Sequence, residues 1–121
     1  LPPGFVVVPA TTLPGGVTVP AFAVARWLAA RGPDGQLLLR ATAPPWVRIG
    51  YHAARQACAR AGVGLLTELQ ALAIAHDLAA QAANWSGGAV GAGRLFQGLH
   101  LGRFDAPQPP CPISPDPRER R

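Results

Sequence analysis

The chain has no lysine, no methionine, a single asparagine at Asn84, two cysteines and six carboxylates among 121 residues. Each shortage excludes something. Cys58 and Cys111 make neither a disulfide framework nor a four-ligand zinc set, although one Cys58–Cys111 bridge stays open as an alternative to a small buried thiol at 58. Six dispersed acids offer no pair for general acid–base work. No apolar run approaches the roughly 20 residues needed to span a bilayer, and no basic segment precedes a hydrophobic one at the N-terminus. The sequence therefore reads as soluble and without an address, while its start at Leu1 leaves room for a removed leader or a preceding domain. Scarce Asn, Cys and Met with abundant loop proline fit a thermophile, and codon bias in a GC-rich genome gives the same picture.

What is present argues for a folded domain. An apolar fraction of 49% with 14% charge is the reverse of a disordered composition, and the length suits one core. Fourteen glycines and fourteen prolines demand many loops, so helix and strand should be modest. The net charge of +5 comes wholly from arginine, with Arg118, Arg120 and Arg121 crowded at the end and the remaining eight scattered. Without an RNP, KH or zinc-finger pattern, this argues against nucleic acid as the partner.

The most informative segment is LLTELQALAIAHDLAAQAANW, Leu65 to Trp85, followed by Ser86-Gly87-Gly88. Thr67 and Gln70 match the capping box, so a helix should open at Thr67. Ala71, Ile74, Ala75, Leu78, Ala79 and Ala82 recur at helical spacing, with Leu69 and Leu72 widening the stripe, which predicts a mostly enclosed helix. Asn84 and the glycines should stop it between Gln81 and Asn84. A shorter helix is expected from His52 to Ala61, with Ala54, Ala57, Cys58 and Ala61 inward and Gly62 as its stop.

Upstream, Phe5 to Val8 reads as a strand, and Val17 to Trp27 as a longer one interrupted by Pro20. The Gly32-Pro33-Asp34-Gly35 turn should join Phe22–Ala30 to Gln36–Arg40 as a hairpin, and Trp46 to Ile49 should be extended. Gly87, Gly88, Gly91 and Gly93 lack a phosphate-loop spacing and read as a tight structural loop. From residue 106 the chain is a proline-rich extended segment with a basic end, so 1–105 is the folded part and 106–121 the tail.

His52, His76 and His100 share a 24-residue spacing but no ligand pattern, so neither a metal nor another cofactor is expected, and no catalytic residue can be named. Asn84-Trp85-Ser86 is an N-glycosylation sequon, for which a Trp packed in a turn is the competing reading. Trp85, Arg94, Phe96, His100 and Arg103, with Phe104, form the densest aromatic and cationic cluster. Such a cluster either binds a ligand or pins the glycine loop to the core. Thr67, Gln70, Asn84 and Trp85 are the structural residues of this region.

PAF-VARW at Pro20 to Trp27, PW-V-I at Pro45 to Ile49, the Ala57, Cys58 and Gly62 set, LLTELQALAIA at Leu65 to Ala75, NWSGG-VG at Asn84 to Gly91 and the later G-LFQG-H occur in an order that resembles the formylglycine-generating-enzyme (sulfatase-modifying-factor) family. The stretch from Pro20 to about His100 is most similar to its phage-associated binding relatives and to variable proteins of diversity-generating retroelements. The resemblance implies an α+β, C-type-lectin-like fold, with two helices against a small antiparallel sheet, of which this chain holds the N-terminal part. It also implies a ligand-binding or display scaffold, on a cell surface or a phage particle, that meets a protein or surface ligand through loops mostly outside this chain. The family commonly has Glu-Trp where Gln70-Ala71 stand, and its later G-N-V-W-E-W type motif and terminal cysteine pair have no counterpart here. An oxidase of the formylglycine-generating type, using Cys58 and Cys111 for copper or thiol chemistry, and a small basic nucleic-acid-binding domain are the competing functions.

Overall fold

The computed structural model describes residues 1–95, so Phe96, His100, Arg103, Phe104, Cys111 and the proline-rich tail lie outside the described residues. It is an α+β protein with small two-stranded antiparallel sheets and two helices. The chain divides into two compact units, the first holding residues 1–7 and 23–66, the second 8–22 and 67–95.

β1 (Phe5–Val8) pairs with β4 (Phe22–Ala25), both strands lying in the first unit except for Val8 and Phe22, and the Arg26 amide donating to the Gly4 carbonyl at 2.7 Å prolongs the pair. Gly4 holds φ +85°, and a Cβ there would already touch the Trp27 ring at 3.5 Å. β5 (Ala30–Arg31) and β6 (Leu37–Leu38) form a hairpin in which Ala30 faces Leu38 and Arg31 faces Leu37. Its turn is Gly32 to Gly35, closed by the Gly32 amide on the Gln36 carbonyl at 2.7 Å, with Gly35 at φ +76°. The sequence places this turn correctly but overextends its arms. Phe22–Ala25 pairs with β1 instead of Gln36–Arg40, and the hairpin is two residues deep. Trp46 to Ile49 joins no sheet. Helix α1 spans Tyr51–Arg60 and ends at Gly62, whose φ of +73° suits a residue without a Cβ. Ala57 and Cys58 are buried and Ala54 half-buried, but Ala61 is exposed, because it caps the helix and lies past the inward stripe.

In the second unit, β2 (Thr11–Thr12) and β3 (Thr18–Val19) form a hairpin that the sequence reading does not anticipate, Thr11 facing Val19 and Thr12 facing Thr18. Pro14 and Gly15 occupy the middle of its turn, Gly15 at φ +98°, and the Gly16 amide donates to the Leu13 carbonyl at 3.0 Å. Alternation does the rest: Thr12 and Thr18 meet through their hydroxyls at 3.1 Å on the exposed face, while Leu13 and Val19 point inward. Pro20 follows β3 in the break before β4, where its missing N–H costs nothing.

Helix α2 spans Glu68–Ala79. At its start the Gln70 amide donates to Thr67 Oγ1 at 3.1 Å and the Thr67 amide to Gln70 Oε1 at 3.0 Å, a closed capping box. It stops two residues earlier than the composition suggests, and a 3-10 turn at Ala82–Asn84 follows. The helix is not mostly enclosed. Only Ala73 is buried, at 0% exposure, packed with Leu13, Val19 and Phe22. Leu69, Leu72 and Leu78 remain 47%, 48% and 46% exposed. The inward stripe is Gln70, Ala73, Ile74 and Asp77, whose centre is an alanine. A methyl group lets the β2–β3 hairpin approach the helix closely, whereas a leucine at the same point would hold it away.

Thr67→Ala should cost about 1 kcal/mol in urea unfolding, with Thr67→Ser nearly neutral. Ala73→Leu should cost about 2 kcal/mol by overpacking, and an unchanged urea midpoint would show that the hairpin does not rest on this face.

Candidate functional site

Each unit offers one candidate site. The first is the glycine loop after α2. The last carbonyls of a helix have no partner of their own. Here Asn84 Nδ2 donates to the Leu78 carbonyl at 2.9 Å and Trp85 Nε1 to the Ala79 carbonyl at 2.9 Å. Gln81 Nε2 reaches the Asp77 carbonyl and Oδ2, each at 3.3 Å. The Asn84 amide of the sequon is thus engaged in holding the helix end. Trp85 is half-buried with its indole N–H spent on the backbone, so among the residues of the aromatic cluster it serves as an anchor.

Beyond Trp85 the chain folds back on itself. Trp85 and Leu95 form an isolated antiparallel bridge, the Ser86 amide donates to the Arg94 carbonyl at 2.8 Å, and the Gly87 amide to the Ala92 carbonyl at 3.0 Å. Ser86 Oγ accepts from the Arg94 amide at 2.8 Å. Gly93 holds φ +80° against Ser86, and a Cβ on it would collide with Ser86 Oγ. A Cβ on Gly87 would lie 2.8 Å from the Ala92 carbonyl oxygen. The glycines therefore serve loop closure, and Ala89, Val90 and the Arg94 residue are exposed on the frame they make. Of the five residues proposed from sequence to meet a ligand, the structure brings together Trp85 and Arg94; Phe96, His100 and Arg103 lie outside the described residues.

The second place, which sequence reasoning missed, is an open cleft in the first unit with a volume of about 590 Å³. Its wall runs from β5 through Ala43-Pro44-Pro45-Trp46 to the start of α1. The Trp46 amide donates to the Ala29 carbonyl at 2.8 Å, which holds the proline segment beside β5. The Arg31 guanidinium lies over the Trp46 ring at 5.9 Å. Arg48 also lines the cleft and carries φ +57°, the one non-glycine in the left-handed region among the described residues. The one available signal was the PPW-V-R-I run next to a helix start, which periodicity reads only as an interruption.

Cys58 is a buried free thiol on α1. His52 lies edge-on to Tyr51 at 5.3 Å, His76 is exposed on α2, and among the described residues no group of three or more His, Cys, Asp or Glu is placed to hold a metal ion. No helix among them is long and apolar enough to cross a membrane.

Gly93→Ala should lose about 2 kcal/mol of stability, whereas Gly91→Asn, in open space at φ +81° and with a side chain that tolerates that region, should lose less than about 1 kcal/mol; thermal unfolding separates them. In a Cys111→Ser variant, Cys58 should react with a thiol reagent about tenfold or more slowly in the native protein than in denaturant, and equal rates would make it an accessible thiol. No protein-family model, curated protein or solved structure matches the chain.

Proposed function

We propose that the protein is a ligand-binding and display module of the C-type-lectin-like, formylglycine-generating-enzyme type, used as variable or receptor-binding proteins are, and not a catalyst. The motif order from Pro20 to His100 supports the family reading. One observation carries the functional reading: the loop after α2 is closed by backbone hydrogen bonds, the Ser86 hydroxyl, glycines and the Trp85 anchor, none of which involves the side chains of Ala89, Val90 or Arg94. Val90 is 58% exposed. A surface meant to vary its chemistry without losing its shape needs this separation between the groups that set the backbone and the groups that face outward. The partner in this reading is a protein or a cell-surface ligand, met through this loop and those that follow it.

The reading is tested by randomising Ala89, Val90 and Arg94 together in the displayed full chain. Most variants should resist protease as well as the parent, and selection against a folded protein target should enrich specific sequences at those three positions. Loss of protease resistance in most of the library would mean that the outward side chains hold the loop, and would sink the display reading. Sequencing of the coding region after Arg121 addresses the family separately: a G-N-V-W-E-W-like motif with a near-repeat beside a reverse transcriptase is the expected result, and a stop codon there counts against it.

A further inference from the structure

The polarity of α2 is turned inside out. Its inward side carries the half-buried Gln70 and Asp77 beside Ala73 and Ile74, while of its seven exposed positions only Glu68 and His76 are polar. A helix whose outer side ends in water has the reverse pattern. Leu69 and Leu72 each leave about half of their surface exposed. The exposed positions also have a symmetry of their own. About Leu72 as centre, Leu69 and Ala75 stand three residues to either side and Glu68 and His76 four, a spacing that puts all five on one face. Large therefore answers small, and acid answers base. Neither Glu68 nor His76 makes a side-chain hydrogen bond or ion pair with the described residues.

We propose that a second copy of the chain covers this face, the two α2 helices packing antiparallel about a two-fold axis at Leu72. In a two-fold contact, residue i meets residue j and j meets i. Reversing the helix about position 72 brings 68 to the height of 76 and 69 to the height of 75. One self-pairing thus sets each Glu68 carboxylate, an acceptor, level with the partner's His76, whose imidazole has an N–H to donate in either protonation state. Leu72 meets its own copy on the axis, and Ala75 leaves room for the larger Leu69 side chain at the same height. A parallel pairing would instead set acid against acid and base against base. Eight residues of helical rise hold Glu68 and His76 of one chain about 12 Å apart, so this pair closes only between copies. One face of a 12-residue helix covers less than the roughly 800 Å² per partner of a standard interface. The dimer is therefore reversible, with a Kd on the order of 10 to 100 µM. This inference uses the outer side of α2 rather than the display loop and stands or falls apart from it.

The test is sedimentation of the full chain from about 5 µM to about 1 mM, a range that brackets the expected Kd. The mass should rise with concentration from 12.6 kDa towards twice that value and stop there. Leu72→Lys, on an exposed position, should weaken the dimer at least about tenfold and leave the thermal midpoint of the dilute protein unchanged. Glu68→Lys and His76→Glu should each weaken it by about fivefold to tenfold, because a two-fold contact loses the pair twice. The double variant Glu68→Lys/His76→Glu should return to within about threefold of the parent, since acid and base then face each other again. If Glu68→Lys, beside the positive end of the helix dipole, does not fold, Glu68→Gln should still weaken the dimer, by a smaller factor. A monomer at every concentration overturns the proposal. In that case a thermal midpoint that falls on Leu72→Lys assigns the face to another part of the same chain, and an unchanged midpoint leaves it for a different protein. A dimer indifferent to Leu72→Lys, or one that the double variant fails to restore, also overturns it.

Discussion

The second unit depends on the way α2 disposes of its unpaired backbone groups. At one end Thr67 and Gln70 satisfy amides reciprocally, and at the other the Asn84 and Trp85 side chains take the Leu78 and Ala79 carbonyls. A twelve-residue helix is marginal alone in water. Side-chain caps at both ends and the Ala73 contact with the β2–β3 hairpin are what hold it. Because the C-terminal caps are supplied by residues of the following loop, stability of the helix and position of the loop are one property.

The hydrophobic core is thin. Buried apolar residues among the described ones are mostly alanine and valine, with Leu13 and Cys58, and no large side chain is fully enclosed. With little apolar area removed from water, short-range devices carry more of the burden: turns set by Gly15, Gly35 and Gly93 in the left-handed region, backbone pairs two residues long, and guanidinium groups over the rings of Trp27 and Trp46. Among the described residues no group of three or more His, Cys, Asp or Glu is placed to hold a metal ion, and the exposed features are loops held by their backbones and a cleft walled by prolines, an indole and arginines.

Local chemistry was legible where one residue's side chain answers a neighbour's backbone. The capping box at Thr67, the stop of α1 at Gly62, the turn at Gly32 to Gly35 and the strand at Phe5–Val8 all follow from residue type at short separation. The partner of Phe22–Ala25 did not, because strand pairing is a choice between segments of similar propensity, and β1 won over the segment after the nearest turn. The β2–β3 hairpin was hidden for the same reason: Pro14-Gly15-Gly16 marks a turn, but two-residue arms leave no periodicity to read.

The sequence by itself determined that α2 begins at Thr67, that the chain after it closes into a glycine loop, and that positive charge would be carried by arginine alone. Tertiary structure decided which face of α2 is inward. The leucines make the stronger stripe on a helical wheel, yet the hairpin sits on Ala73, because close packing rewards the surface that lets two backbones approach. It also decided that Trp85 would be an anchor and that Arg31, Trp46 and Arg48 would share one wall. These outcomes depend on where distant residues are delivered in space, and no spacing along the chain encodes that.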